Sequence, residues 1–281
     1  MEFTKMHGLG NDFVVVAHFE DVPKNVNQLA IDICNRNFGV GADGLVFILP
    51  SDKADVRMRI FNADGTEAEQ CGNAIRCVAK YVYDHNMKKK EKLSVETLAG
   101  IQHVKLHIEN NFVSTVEVDM GEPILKGELV PTAIKESEVV NHPIEVDGVK
   151  FYFTAVSMGN PHAVIYVEDA PHFDVEKWGP KLETHPLFPK KTNVEFVTVK
   201  NDHEVEMRVW ERGVGQTLAC GTGACATGVA SVLTGQTSRE VLVHLKGGDL
   251  KVYWNKEDNH VYMTGEAKEV FRGTWLGEVK W

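Results

Sequence analysis

The sequence predicts an α+β protein that is mostly strands, with one well-placed helix in each of two similar halves. The chain has 281 residues, 43% hydrophobic and 25% charged, which is ordinary globular composition and a length suited to two domains. Short segments rich in β-branched and apolar residues outnumber convincing helices. Related segments also recur at one constant spacing, which indicates an internal repeat.

The repeat is anchored by two cysteines, Cys71 and Cys220, which lie 220 − 71 = 149 residues apart. The flanking segments VRMRIFN and VEMRVWE align at the same offset without a gap, and Asn11 falls on Asn160. Chance does not readily produce one offset across separated segments. We therefore interpret the halves as products of a duplication, each of ordinary domain size.

Turn chemistry such as Ala-Asp-Gly at positions 63–65 separates the predicted strands. The strands predicted in the first half are residues 14–17, 45–49, 56–61, 104–108 and 113–118. Those predicted in the second half are 151–156, 163–167, 194–199, 205–210, 241–245 and 251–254. Helices are predicted at about 28–35, 72–85 and 221–233. Residues 120–140 are expected to connect the halves.

Charge and cysteine usage narrow the class of protein. The net charge of −10 argues against a general affinity for nucleic acid or an anionic membrane. The N-terminus lacks the apolar stretch of a signal peptide, and the aliphatic run near it is too short to span a bilayer. Five cysteines without a CxxC pair suit a reduced compartment. We expect a cytoplasmic protein.

Cys71 and Cys220 each end a polar loop and precede a predicted helix, with glycine following. A helix N-terminus presents unpaired N–H groups and a partial positive charge, so it binds anions such as a carboxylate. The same environment favours thiolate over thiol, and we expect it to lower the pKa of both cysteines. Glycine beside each cysteine lets a ligand approach the backbone.

Two such thiols suit stereoinversion at a carbon next to a carboxylate. If the halves face each other, one thiolate removes a proton from one face and the other thiol returns a proton to the opposite face. Nearby N–H groups would stabilise the developing negative charge, and no metal or redox cofactor is required. The alternative is that both cysteines are small buried hydrophobic residues.

Other features point to structural roles. Cys34, Cys77 and Cys225 have no spacing that suits a metal clamp, so we predict no metal site. Residues 39–44 and 221–226 fit glycine patterns of dinucleotide-binding loops. The first precedes a strand rather than a helix. The second begins some ten residues after its strand, whereas a dinucleotide-binding loop joins its strand and helix by a tight turn. Nucleotide binding is therefore the weaker alternative.

Several motifs together resemble the diaminopimelate epimerase family over essentially the whole chain. They are FTKMHGLGNDF, FNADGTEAEQCGNAIRC, SMGNPHAV, TNVEFV, VWERG and ACGTGACA. The resemblance implies a cofactor-independent enzyme that interconverts LL- and meso-diaminopimelate in lysine and peptidoglycan precursor synthesis. It also implies a homodimer whose subunit has two pseudo-symmetric domains, each a mostly antiparallel sheet or barrel around a central helix. These domains would be residues 1–119 with 265–281, and residues 120–264.

The resemblance also implies roles for individual residues. The acid/base pair would be Cys71 and Cys220, assisted by His162 and Glu211. Arg212 would fork onto the distal carboxylate of the substrate. The substrate-binding set is Asn11, Asn62, Gly72, Asn73, Asn160, Asn193, Glu211, Arg212, Gly221 and Thr222. From the residues alone, His162 could instead satisfy a turn, and Glu211 and Arg212 could be a solvated surface pair.

Two further functions stay open. The chain could be a sister isomerase that acts on proline, hydroxyproline or histidine, although such small substrates need no clamp for a second amino-acid head. It could also be a redox sensor in which Cys71 and Cys220 form a reversible disulfide, because thiolates at helix starts are oxidisable. A substrate panel and thiol mass spectrometry separate these functions from the epimerase.

Overall fold

The structure is a computed structural model that describes residues 1–17 and 19–281. It divides the chain into two compact units. The first unit comprises Met1–Val118 and Gly265–Trp281, and the second comprises Asp119–Thr264. Among the described residues, no helix has both the length and the apolar character that crossing a bilayer requires.

Strands and helices are numbered in chain order. The first unit contains the strands β1 Glu2–Gly8, β2 Asn11–Ala17, β3 Gly44–Leu49, β4 Val56–Asn62, β5 Glu67–Ala68, β6 Lys92–Thr97, β7 Gly100–Glu109, β8 Phe112–Asp119 and β18 Lys268–Thr274. Its helices are α1 Val26–Cys34 and α2 Gly72–Asp84.

The second unit contains two longer helices, α3 Val175–Glu183 and α4 Gly221–Leu233, and 3₁₀ turns at Gly127–Leu129 and Ala170–His172. Its strands are β9 His142–Val146, β10 Val149–Ser157, β11 Pro161–Tyr166, β12 Asn193–Asn201, β13 Glu204–Glu211, β14 Gly215–Gln216, β15 Glu240–Leu245, β16 Gly248–Trp254 and β17 Val261–Gly265.

The two units follow the same path. In the first, β1 pairs antiparallel with β2, β2 parallel with β3, β3 antiparallel with β4, and β4 parallel with β6. In the second, β10, β11, β12, β13 and β15 repeat this series of pairings in the same directions. The predicted α+β class is confirmed, and the repeated topology supports the duplication.

One helix in each unit is surrounded by its own sheet. Helix α2 packs against β1, β2, β4, β7 and β18, and α4 packs against six strands, from β10 to β16. The sequence of α4, GTGACATGVASVL, consists mainly of small residues, and its middle is fully buried. At Gly228 a Cβ would lie 2.7 Å from Val252 Cγ1, so only glycine allows this close approach. Both helices are therefore central.

A second helix in each unit covers the outer face of the sheet. Helix α1 joins the parallel strands β2 and β3, and it buries Leu29 and Ile33 in a core cluster with Phe47. Helix α3 joins β11 and β12, and it buries Val175 and Leu182. Such helices are the usual connection between parallel strands. A tight turn reverses the chain direction and can therefore join only antiparallel strands.

Helix α3 is absent from the sequence-based prediction because VEKWGPKLE contains adjacent Gly179 and Pro180, which both disfavour a helix interior. The repeat offset would have located it. Adding 149 to 26 and to 34, the bounds of α1, gives 175 and 183, which are the bounds of α3. The other predicted helices lie close to where they were expected. Helix α1 begins two residues before the predicted start, and α4 has the predicted bounds.

The chain passes from the first unit to the second at Val118–Asp119, and the segment predicted to connect the halves, residues 120–140, also contributes to the core of the second unit. The segment belongs to the second unit. Val130, Ile134 and Val139 are buried there in the same cluster as Phe153. This contribution to the core was not predicted, because apolar residues in irregular backbone have neither helical nor strand spacing and give no periodic signal. Strands β1, β6, β9, β17 and β18 and the two-residue strands β5 and β14 were also not predicted.

Candidate active site

Cys71 and Cys220 are the N-cap residues of the two central helices. Both have extended backbone, with φ and ψ of −152° and 118° at Cys71 and −118° and 108° at Cys220. None of the five cysteines, all of which are described, takes part in a disulfide. The two environments differ, because Cys71 is half-buried while Cys220 is only 5% exposed.

In the first unit, Asn11 lies between Cys71 and Asn73. The Cys71 thiol donates to Asn11 Oδ1 across 3.8 Å, and Asn73 Nδ2 donates to the same oxygen across 3.0 Å. Asn73 is buried, and Arg76 Nη2 donates to its Oδ1 across 2.8 Å. Arg76 also donates to the carbonyl oxygen of Gly72, at the helix start. The structure therefore brings together four of the residues predicted for this unit.

The amide of Asn11 is held by charged groups on the outer side of the unit. Asn11 Nδ2 donates to Asp43 Oδ2 across 2.7 Å, and Arg36 donates to both Asp43 and Asp12. Burial acts to raise the pKa of Asp12, but hydrogen bonds from Arg36 and Lys5 outweigh burial and hold that pKa well below its usual range. Asn11 thus has a fixed orientation before any ligand binds.

Asn62 stands apart from this group. It is exposed at the end of β4, and its Nδ2 donates to Thr66 Oγ1 across 3.0 Å. Within residues 1–17 and 19–281, no hydrogen bond joins its side chain to Asn11, Cys71 or Asn73. Its side chain is therefore accessible to a ligand. The repeat offset carries Asn62 onto Glu211, since 211 − 62 = 149, so the two residues occupy equivalent strand ends in the two units.

In the second unit, Cys220 Sγ accepts a hydrogen bond from the backbone N–H of Gly223 across 3.3 Å and lies 3.5 Å from Thr222 Oγ1. Gly223 must be glycine. A Cβ there would lie 3.2 Å from the sulfur and 2.6 Å from Glu195 Oε1. The α4 start, the thiol and the carboxyl group of Glu195 are therefore packed closely together.

The prediction that the helix start lowers the thiol pKa is wrong for Cys220. Burial raises that pKa well above its ordinary value, and the negative charges of Glu211 and Glu195 raise it further. A helix terminus favours an anion by about 0.3–1 kcal/mol. Complete burial can disfavour an anion by about 4 kcal/mol or more. The effect of burial exceeds that of the helix terminus, so Cys220 is a neutral thiol at pH 7.

Asn160 and His162 meet beside β12. His162 Nε2 lies 2.9 Å from Asn160 Oδ1, and Nδ1 lies 2.7 Å from Glu195 Oε1. His162 and Glu195 are both fully buried. Glu195 is absent from the sequence-predicted site, although an acidic residue in the apolar strand sequence NVEFV was a signal that could have identified it.

The remaining predicted residues surround the ends of β12 and β13. Asn193 donates to the carbonyl oxygen of Pro161 and accepts from the Arg212 backbone N–H across 2.9 Å. Arg212 is exposed, and its Nη1 donates to the Lys190 carbonyl oxygen across 3.1 Å. Glu211 accepts from the Thr217 hydroxyl. The Glu211–Arg212 pair is therefore tied to the site loops rather than being only a solvated pair.

The sequence matches the family described as diaminopimelate epimerase over residues 3–126 and 154–270. The chain belongs to this family. The epimerase of Desulfitobacterium hafniense is 58% identical over 279 residues and covers 98% of both chains. That of Acetivibrio thermocellus is 55% identical over 273 residues, covering 97% of this chain and 98% of the relative.

Solved structures with low sequence identity share the fold. A probable proline racemase from Agrobacterium radiobacter has a TM-score of 0.72 at 14% identity, covering 99% of this chain and 93% of that one. A phenazine biosynthesis protein of the PhzF family from Bacillus anthracis has a TM-score of 0.68 at 17% identity, covering 97% and 98%. Membership of the diaminopimelate epimerase family confirms the predicted enzyme class, an isomerase.

The other cysteines of this family member occupy the core. Cys34, Cys77 and Cys225 are buried, and burial raises the pKa of Cys34 and of Cys77 to about 12. Their environment agrees with a packing role. Among the described residues, no group of three or more His, Cys, Asp or Glu side chains is arranged to hold a metal ion.

Proposed function

We propose that this isomerase interconverts LL- and meso-diaminopimelate by proton transfer at the α-carbon, with Cys71 and Cys220 as the two transferring groups and no cofactor. The reaction would supply lysine and peptidoglycan precursor synthesis. The observation that carries the proposal is the pair of N-cap cysteines on equivalent central helices in a diaminopimelate epimerase family member. The glycines that follow them, Gly72 and Gly221, are duplicated at the same offset.

The step needs one thiolate and one thiol. The thiolate takes the α-proton, and the electron pair of the broken C–H bond delocalises into the adjacent carboxylate. The thiol then gives its proton to the opposite face of the same carbon, so the protons balance. Because the pKa of Cys220 is raised, Cys220 begins as the acid and Cys71 as the base in one direction. The roles exchange in the reverse direction.

The ends of β12 and β13 offer groups that suit a second amino-acid head. Arg212 can donate two parallel hydrogen bonds to a distal carboxylate, and Glu211 can accept from an ammonium group. Asn193 Oδ1 accepts from the Arg212 backbone N–H, which fixes the backbone at this position. A site that recognises both ends of a substrate rejects amino acids that lack one end.

The decisive experiment is proton NMR of LL-diaminopimelate with the reduced protein in D₂O and no added cofactor. We expect the α-proton signal to disappear while the meso isomer appears. If the folded protein with reduced thiols gives no change, diaminopimelate is not its substrate. Turnover of proline, hydroxyproline or histidine instead would establish a sister isomerase. A Cys71–Cys220 disulfide under mild peroxide, with no turnover under reductant, would establish a sensor.

Arg212→Leu tests the proposed recognition of the distal head. Losing a charged hydrogen-bond donor should raise KM for diaminopimelate by about 10- to 100-fold, because such bonds contribute about 1.5–3 kcal/mol. Steady-state kinetics measures the change. Arg239→Leu is the matched control, since Arg239 lies in the same unit and bonds to the Trp254 carbonyl oxygen. Equal KM values for both variants would remove Arg212 from the proposed site.

The same proposal includes a cytoplasmic homodimer whose partner molecules are the amino-acid substrate and product. The net charge of −10 disfavours nucleic acid and anionic membranes as partners. Five cysteines kept as thiols suit a reducing compartment. Sedimentation equilibrium should give twice the subunit mass of 31.3 kDa, and a monomer at all protein concentrations would contradict the homodimer.

A further inference from the structure

The second unit contains a histidine–glutamate pair that is removed from solvent. His162 and Glu195 are both 0% exposed, and their Nδ1 and Oε1 atoms lie 2.7 Å apart. Glu195 Oε2 is also buried, and it has no hydrogen-bond partner among residues 1–17 and 19–281. Leaving a buried carboxyl oxygen unpaired is expensive, at about 1–3 kcal/mol. The pair therefore works against stability rather than for it.

The first unit shows that the fold does not need this pair. The repeat offset carries His162 back to Phe13 and Glu195 back to Val46, because 162 − 13 and 195 − 46 both equal 149. Both first-unit residues are buried apolar side chains on the equivalent strands β2 and β3. Replacing a buried ionisable pair by apolar residues is often neutral or stabilising. The pair in the second unit thus requires a functional explanation.

The hydrogen bonds around the imidazole restrict where its protons lie. Each ring nitrogen faces an oxygen, Asn160 Oδ1 at Nε2 and Glu195 Oε1 at Nδ1. Two arrangements satisfy both contacts, an imidazolium beside a carboxylate or a neutral imidazole beside a carboxylic acid. In both, Nε2 carries a proton and donates it to Asn160. Because Asn160 Oδ1 faces the ring, Nε2 carries this proton, and Glu195 is the partner at Nδ1 that holds the ring in this orientation.

We infer that Glu195 is a positioning residue that acts through His162 to fix the amide orientation of Asn160. With Oδ1 engaged by His162, the Nδ2 group of Asn160 makes no hydrogen bond to any other residue in the described part of the chain. Asn160 is partly exposed, so its two N–H groups are available to an oxygen acceptor. The acceptor is a carboxylate oxygen of the substrate, and this last step rests on the proposed function.

Nitrogen-15 NMR of histidine-labelled protein tests the inference without substrate. In the wild-type protein we expect a protonated Nε2 at His162, assigned by its loss in His162→Gln. Glu195→Gln should keep this proton, because the glutamine amide can donate to Nδ1. Glu195→Leu should broaden or shift the signal, because the ring loses the partner that anchors it at Nδ1. An unprotonated Nε2 in the wild-type protein would overturn the inference, because Asn160 would then present its oxygen instead.

Kinetic coupling gives a second test. We expect Glu195→Leu to raise KM for diaminopimelate by about 10-fold, and Glu195→Gln to stay within about twofold of the wild type. In an Asn160→Ala background, Glu195→Leu should raise KM no further, because the asparagine through which Glu195 acts is gone. Independent effects of the two changes on KM would contradict the inference. Absence of wild-type turnover would instead contradict the proposed function, while the NMR test would still decide this one.

Two controls separate positioning from stability. Asp249→Asn removes a 2.8 Å histidine–carboxylate bond to His244 in the same unit, and it should leave KM unchanged. The double variant His162→Phe with Glu195→Val copies the first unit, and we expect it to melt at or above the wild-type temperature. If Glu195→Leu alone fails to fold, Glu195→Gln and the wild-type spectrum still decide the matter.

Discussion

Two asparagines that occupy equivalent positions in the two halves of the molecule have different hydrogen-bond partners. Asn11 gives its amide N–H to Asp43 and uses its oxygen to accept from Asn73 and the Cys71 thiol. Asn160 Oδ1 lies 2.9 Å from His162 Nε2, and we propose that the N–H groups of Asn160 bind a ligand. The backbone around them follows the same path. The two halves thus share a backbone scaffold, while the side chains that surround the equivalent asparagines differ.

The same contrast extends to the thiols. Cys71 is half-buried and hydrogen-bonded to Asn11, whereas Cys220 is buried, and its burial together with the charges of Glu211 and Glu195 raises its pKa. An enzyme that needs a base on one side and an acid on the other benefits from two such unequal environments. Under the proposed mechanism, this difference makes Cys220 the acid at the start of one reaction direction.

The largest expected effect is the loss of either N-cap thiol. Cys71→Ala and Cys220→Ala should each lower the rate of net epimerisation by about 10²–10⁴-fold or more, because inversion needs both proton-transfer groups. Chiral chromatography of the products measures the rate. Cys77→Ala on α2 and Cys225→Ala on α4 are matched controls that remove a buried thiol from the core. Full activity in either N-cap variant would refute the two-thiol mechanism.

A moderate effect is expected from Asp43→Asn in the first unit. The change weakens the bond that orients Asn11 and removes a carboxylate that accepts from Arg36. Because Asp43 is largely exposed, we expect the free energy of unfolding to fall by only about 1 kcal/mol. The KM for diaminopimelate should rise several-fold.

Thermal melting and kinetics together check this prediction. Asp21→Asn is a suitable control, since Asp21 is exposed and its ion pairs with Arg57 and Arg59 in the same unit are long, at 3.6 Å. An Asp43→Asn variant with wild-type KM would mean that Asn11 needs no support from the charged groups.

The smallest expected effect is a change in thiol reactivity. Because the pKa of Cys220 is raised, its alkylation by iodoacetamide should increase only above its ordinary pKa of 9.0. Glu211→Gln removes one of the charges that raise this pKa, so the alkylation midpoint should shift to lower pH. Residue-specific mass spectrometry measures both. Cys34 and Cys77 should stay unmodified in the folded protein, and rapid alkylation of Cys220 at pH 7 would contradict the assignment.

Much of the fold could be predicted from the sequence, because the two halves contain related segments at one constant offset. Segments rich in β-branched and apolar residues identified eleven of the strands, and the positions of Cys71 and Cys220 identified both central helix starts. Helix α3 escaped recognition because its own sequence is a weak helix signal, although the repeat offset contained its bounds. The segment at 120–140 escaped because irregular backbone buries apolar residues without a period.

The sequence by itself determined the duplication, the family and the paired cysteines, because these depend on residue identity and spacing along the chain. Only the tertiary structure showed that Cys220 is buried, that Glu195 lies against His162, and that Asp43 holds Asn11. A pKa and a hydrogen-bond direction depend on the solvent exposure and charges of groups that are distant in sequence. Those neighbours come together only when the strands of each unit pair around its central helix.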